Sequence, residues 1–137
     1  MQASGQCLCG AVRFRAEDVQ NEVHGCHCSK CLHWAGGPVL AVNVGSIAFD
    51  GEDQVGRYES SDWGERGFCK RCGSNLFFRV KESDHYLVSM GSFDDQSRFQ
   101  LVGEIYIDDK PPAYDFAGEH TRLTGEQFLA SLQQGTD

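Results

Sequence analysis

The run Phe68-Cys69-Lys70-Arg71-Cys72-Gly73-Ser74-Asn75-Leu76-Phe77-Phe78-Arg79 decides the fold. Two cysteines separated by two residues are followed by a glycine and then by an aromatic, β-favouring stretch. Such a segment reads as a thiolate-bearing turn at the head of a strand, with the glycine where the backbone takes a positive φ or approaches the sulfurs closely. A second segment echoes it. Cys7-Leu8-Cys9-Gly10 leads into Val12-Arg13-Phe14-Arg15-Ala16, where Val12, Phe14 and Ala16 share one strand face and the arginines the other. Two such turns facing each other make a clamp of four sulfurs, and a chain built around the clamp is expected to be mainly β.

The chain carries seven cysteines in 137 residues, grouped as Cys7 and Cys9, then Cys26, Cys28 and Cys31, then Cys69 and Cys72. The opening residues Met1-Gln2-Ala3-Ser4-Gly5-Gln6 hold neither a basic nor an apolar export region, so a cytoplasmic location is the expectation. An odd cysteine count there argues against a disulfide framework and for metal or thiol chemistry. Structural zinc prefers a closed tetrahedron, commonly from two short-spaced pairs, whereas catalytic zinc keeps three protein ligands and an exchangeable fourth position. Cys7, Cys9, Cys69 and Cys72 therefore suit a structural zinc, and Cys26, Cys28 and Cys31 an open one, giving two Zn2+ in all. A closed Cys3His site is the alternative for the triad, with His24, His27 or His33 as fourth ligand. Against it, His27 lies between two ligands, where its side chain tends to point away from the metal its neighbours face. His33 can equally serve as an outer hydrogen-bond donor or a pocket wall.

A net charge of -8, from 12 basic and 20 acidic residues, opposes attraction to nucleic acid or to an anionic membrane. No stretch approaches the roughly 20 apolar residues of a spanning helix. The 40% hydrophobic content and mean hydropathy of -0.41 fit a soluble globule, and the length fits one domain over residues 1–137. Strands are expected over residues 11–16, 39–44, 76–80, 85–90 and 104–107. Near the end of the chain, Thr124 and Gln127 have capping-box spacing ahead of Phe128, Leu129 and Leu132, which predicts a helix over roughly 125–134.

Residues 64–81 hold Arg66, Lys70, Arg71, Arg79 and Lys81 against Glu65 alone. This positive charge can offset a thiolate cluster or receive a carboxylate-bearing ligand. Arg66, outside the Cys69–Cys72 turn, is the candidate for the second role, and Lys70 and Arg71 for the first.

The order of these motifs resembles a known family. Cys7-x-Cys9-Gly10-x-Val12-Arg13-Phe14 is followed by Cys26-His27-Cys28-x-x-Cys31 with Gly36-Gly37, Tyr58-x-Ser60-Ser61, Arg66-x-Phe68-Cys69-x-x-Cys72-Gly73-Ser74-x-Leu76, Gly91-Ser92-Phe93-Asp94 and Ile105-Tyr106-Ile107-x-x-Lys110-Pro111-Pro112. Together they resemble the glutathione-dependent formaldehyde-activating enzymes, which include centromere-protein-V-like proteins. The resemblance implies an Mss4-like antiparallel β fold with a four-cysteine zinc clamp. It also implies a structural zinc on Cys7, Cys9, Cys69 and Cys72 and a catalytic zinc on Cys26, Cys28 and Cys31. The activity it implies is that of a carbon–sulfur lyase joining glutathione, or a similar small thiol, to formaldehyde as an S-hydroxymethyl adduct.

At such a site the metal deprotonates a bound thiol, and the protein holds thiol and aldehyde together, which favours a bimolecular addition. Trp34, Phe68 and Phe93 are candidate pocket walls beside Arg66 as substrate contacts. The residues leave three uses open: an enzyme of this kind, a zinc-dependent thiol-binding carrier, or a double-zinc module that engages another protein.

Overall fold

The computed structural model describes residues 1–134, which gather into two compact units, residues 1–23 with 41–100 and residues 24–40 with 101–134. In chain order the elements are β1 (Ala3–Gln6), β2 (Arg13–Glu17), β3 (Glu22–Cys26), α1 (Ser29–Ala35), β4 (Val39–Val44), β5 (Ser46–Asp50) and β6 (Val55–Glu59). They continue as β7 (Gly64–Cys69), β8 (Asn75–Val80), β9 (His85–Ser89), β10 (Gln100–Ile105), β11 (Thr121–Arg122) and α2 (Gly125–Gln134). The chain is mainly β, with a short C-terminal helix.

In the first unit β1, β2 and β5 form a small antiparallel sheet in that order. The outer part of β4 pairs with β9, and β9, β8, β7 and β6 continue as an antiparallel meander. Alternation along β2 buries Phe14 and Ala16 and exposes Arg13, Arg15 and Glu17, as the period-2 pattern requires. The core of this unit joins Cys7, Val12, Val55, Cys69, Leu76 and Phe77, with Phe49 and Tyr86 packed against it. Phe77 lies with its ring centroid 5.4 Å from Phe49 and 5.0 Å from Tyr86. Burying side chains of this size contributes about 1.5–3 kcal/mol each. Two of the clamp cysteines are therefore members of the core.

Three charged residues of 64–81, Glu65, Arg79 and Lys81, are ion-paired within the meander. Glu65 on β7 receives Arg57 at 2.6 Å and Arg79 at 3.1 Å, while Asp84 takes Arg79 at 2.5 Å and Glu59 takes Lys81 at 3.1 Å. Arg79 and Glu65 sit directly opposite in the β7–β8 register, where cross-strand pairs act.

In the second unit β10 lies between β3 and β11, and its pairing with β11 is parallel, Glu104 opposite Arg122. The strand expected over residues 104–107 ends at Ile105. Tyr106 takes a left-handed φ of 57° and residues Ile107–Asp109 form a 3-10 turn. The start of α2 docks at this point. A Cβ added to Gly125 would stand 2.5 Å from the Tyr106 ring, and Asp108 Oδ1 accepts from the Gly125 amide at 2.9 Å. Helix α2 has the expected bounds. Its capping box is closed both ways, the Gln127 amide donating to Thr124 Oγ1 at 3.1 Å and the Thr124 amide to Gln127 Oε1 at 2.9 Å.

Candidate metal centre

The two turns singled out in the sequence are built alike. The Cys7 amide donates to Val12 O at 3.0 Å and the Cys69 amide to Ser74 O at 3.0 Å, while Gly10 and Gly73 donate back to Cys7 O and Cys69 O. Both glycines take φ of 80°, the left-handed region where a side chain is strained. Ser74 Oγ accepts from the Leu8 amide at 2.9 Å, tying one turn to the other. The sulfurs of Cys7, Cys9, Cys69 and Cys72 consequently lie within 4.8 Å of one another.

Four sulfurs at the Zn–S distance of about 2.3 Å on a tetrahedron are about 3.8 Å apart. Cys7 to Cys9 is 3.7 Å and Cys9 to Cys69 is 3.9 Å. The Val12 amide points at Cys7 Sγ (3.3 Å), favouring its thiolate, and the Cys72 amide points at Cys69 Sγ (3.4 Å). The Ser74 hydroxyl, 3.2 Å from Cys72 Sγ, leads the contacts that hold that thiol down to about 5. For Cys9 the Ala11 amide pulls the same way, but burial and the sulfurs of Cys7, Cys72 and Cys69 push it up to about 11. Thiols that resist ionising together are what a divalent cation relieves. The donor set and its spacing fit a metal ion.

The triad is the second cluster. Cys26 ends β3, Cys28 caps α1 and Cys31 lies in its first turn, so a strand-to-helix corner brings the sulfurs within 4.8 Å. The Cys31 amide donates to Cys28 Sγ at 3.4 Å. Hydrogen bonds with Cys28 and Cys31, then burial, push the Cys26 thiol upward. Among the described residues no histidine or carboxylate joins these sulfurs within that distance. His33 Nδ1 faces Ser29 O at 2.8 Å. The Cα hydrogen of Gly103 on β10, not a sulfur, is what the His24 ring approaches, since a Cβ built there would lie 3.2 Å from its Cδ2.

His27 turns away from the corner and is fully buried. Its Nε2 donates to Glu104 Oε1 at 2.7 Å, and its Nδ1 faces the Tyr114 hydroxyl at 3.0 Å. Glu104, 1% exposed, also receives His120 Nε2 and Arg122 Nε on its other oxygen, the latter at 3.2 Å. Burial works against the Glu104 carboxylate, but hydrogen bonds from His120 and His27 outweigh it and hold the carboxyl below its ordinary range. Nothing in the sequence marks Glu104, His120 or Arg122 as members of one group. A single acidic residue in a strand carries no motif, and its partners lie 16 or more positions away.

The remaining candidates are dispersed. Trp34 is half-buried on α1 in the triad's own unit, at the i,i+3 position from Cys31 that shares its helix face. Arg66, on β7, is 5% exposed; its Nε donates to Ser60 Oγ at 3.2 Å and its guanidinium lies 5.0 Å over the Phe78 ring. Phe68 is half-buried on the same strand. Phe93 is 2% exposed, in edge contact with Phe14 at 5.3 Å and beside Phe99 at 5.1 Å.

Fold and sites together define a mainly β protein with two cysteine-built centres able to hold metal ions. The model of the glutathione-dependent formaldehyde-activating enzymes matches residues 2–109, and the chain belongs to that family. An uncharacterized lyase of Schizosaccharomyces pombe is 32% identical over 130 residues, spanning 93% of this chain and 95% of its own. A Halomonas elongata protein, named provisionally as a glutathione-dependent formaldehyde-activating enzyme, is 34% identical over 87 residues, 56% of this chain and 55% of that one. The crystal structure of a Rhodobacter sphaeroides protein has the same fold, with a TM-score of 0.55 at 17% identity over 87% of this chain and 98% of the other. No helix among the described residues is long and apolar enough to cross a membrane.

Proposed function

We propose that this chain is a zinc-dependent carbon–sulfur lyase-type enzyme that forms or cleaves the S-hydroxymethyl adduct of a small thiol, such as glutathione, and formaldehyde. The observation that carries this reading is the division of the sulfurs: four within 4.8 Å of one another in one unit and three within 4.8 Å of one another in the other, with no histidine or carboxylate joining the three among the described residues. Cys7, Cys9, Cys69 and Cys72 would hold a structural zinc. Cys26, Cys28 and Cys31 would hold a second zinc with one exchangeable position. A zinc bound there supplies Lewis acidity, which lowers the proton affinity of a thiol.

The chain's own residues contribute placement. The Cys31 amide at Cys28 Sγ disperses thiolate charge, and Trp34, on the Cys31 face of α1, is the wall this reading favours for the substrate. Arg66 keeps the role of carboxylate contact in this proposal. Family membership and the lyase name of the fission-yeast relative support the reaction class.

The test is the glutathione–formaldehyde exchange rate by NMR, with the wild-type chain at catalytic concentration, with Cys28→Ser and with Trp34→Ala. Acceleration by the wild type that is lost in a folded Cys28→Ser supports the enzyme. Binding of glutathione without acceleration favours the carrier, and neither leaves the substrate assignment wrong.

A further inference from the structure

We infer that the buried cluster of His27, Glu104, His120, Arg122 and Tyr114 is a positioning device for the Cys26–Cys28 corner. It sets the two sulfurs for metal and makes the segment of residues 110–122 a working part of the site. The inference rests on the reading that the triad holds a metal ion.

The argument begins with alternation. In extended backbone the side chain between two others points to the opposite side, so whatever grips His27 fixes the direction of Cys26 and Cys28 at once. The grip is tight for a single residue. Its ring is fully buried, each ring nitrogen has a partner, its amide donates to Ile105 O at 3.2 Å, and Tyr114 and Phe116 lie 5.6 and 5.8 Å from it, centroid to centroid. Phe116 also closes over the residue before the corner, where a Cβ on Gly25 would meet its ring at 3.2 Å.

Glu104 is the anchor behind the ring. A carboxylate 1% exposed is costly unless compensated, and here both oxygens are used, Oε1 by His27 and Oε2 by His120 and Arg122. Burying a charged group to orient one histidine gives a geometry that an apolar core would not specify. A carboxylate only accepts, so the Glu104 contact places the hydrogen on His27 Nε2 and leaves Nδ1 to the Tyr114 hydroxyl. Four of the residues gripping the corner, Tyr114, Phe116, His120 and Arg122, lie beyond residue 109, where the match to the family model ends. Lys110 secures the beginning of this segment through the carbonyls of Pro111 and Tyr114 and an ion pair with Asp115 at 2.8 Å.

A purely structural role predicts loss of stability alone. A positioning role predicts a selective loss of metal at the triad. The experiment is Co2+ titration of the full metal-free chain against a competing chelator, since three-sulfur and four-sulfur cobalt sites absorb differently, with unfolding followed in parallel. Glu104→Gln should weaken the triad site by about 10–100-fold, the usual cost of removing an outer partner of a metal ligand, and leave the clamp site unchanged. Tyr114→Phe removes one hydroxyl and keeps the ring. It should weaken the triad by about fivefold, and it decides the matter alone if Glu104→Gln does not fold.

A wild-type chain that takes up only one cobalt overturns the metal reading of the triad, and this inference with it. A wild type that takes two, with folded variants that hold the second as tightly, overturns the positioning role while the metal reading stands. Parallel weakening of both sites also overturns it.

Discussion

Ser74 joins the two cysteine turns through one oxygen, which accepts from the Leu8 amide at 2.9 Å and stands 3.2 Å from Cys72 Sγ. Ser74→Ala should lower the unfolding free energy by about 1–3 kcal/mol and speed release of clamp metal to a chelator, measured by urea titration and by zinc-dye kinetics. Glu104 contributes to stability on the acid side. Its carboxyl is held below the ordinary 4.5 by folding, so it stabilises the protein above that value and the contribution is lost as pH falls through the folded value. The groups facing it are His27, His120 and Arg122, with the Tyr114 hydroxyl one step further. The stability difference between wild type and Glu104→Gln should therefore be largest near neutrality, about 3 kcal/mol, and shrink below about pH 4 in urea titrations. A difference that grows on acidification would contradict this. At this scale the direction of His27 was readable from its place between two cysteines. Its partner was not, because long-range hydrogen bonds leave no local pattern.

Strand β7, Gly64-Glu65-Arg66-Gly67-Phe68-Cys69, has two glycines and little intrinsic preference for a strand. It forms because β8 supplies the surface it lacks, the Phe77 and Phe78 rings lying over Gly67 and Gly64. A Cβ at Gly67 would stand 2.1 Å from Phe77 Cζ, so Gly67→Ala should cost about 1–3 kcal/mol, whereas Gly37→Ala, with nothing within 4 Å, should change stability by less than about 0.5 kcal/mol in the same denaturation assay. Strands β4, β8 and β9 and helix α2 were legible because apolar periodicity or a capping box lay within one short window. Helix α1 has only seven residues, too few for a period to declare itself, and β7 was hidden because its stabilising side chains belong to another strand. Tyr106 misled for the opposite reason. Its β preference is overridden by the docking of α2.

For the molecule as a whole, the two cysteine clusters should differ in what they support. Cys7 and Cys69 are in the core of the first unit, so Cys69→Ser should cost about 3 kcal/mol or more and lower the thermal midpoint by on the order of 10 °C. Cys31→Ser should lower it far less while abolishing metal uptake by the triad; scanning calorimetry with metal analysis checks both. Equal effects would contradict the division into a clamp and a reactive centre. The grouping of cysteines was legible in the sequence, but the allocation of residues to two units was not, because each unit is made from segments far apart in the chain. That discontinuity has a consequence for biosynthesis. Cys26, Cys28 and Cys31 leave the ribosome well before Glu104 and His120, and at about 5–20 residues per second the thiols wait roughly 4–15 s for the first of the partners that orient their corner. During that interval three neighbouring thiols on a nascent chain are open to oxidants and to any thiophilic ion, so a metal captured there early would be chosen by cellular supply rather than by a finished pocket.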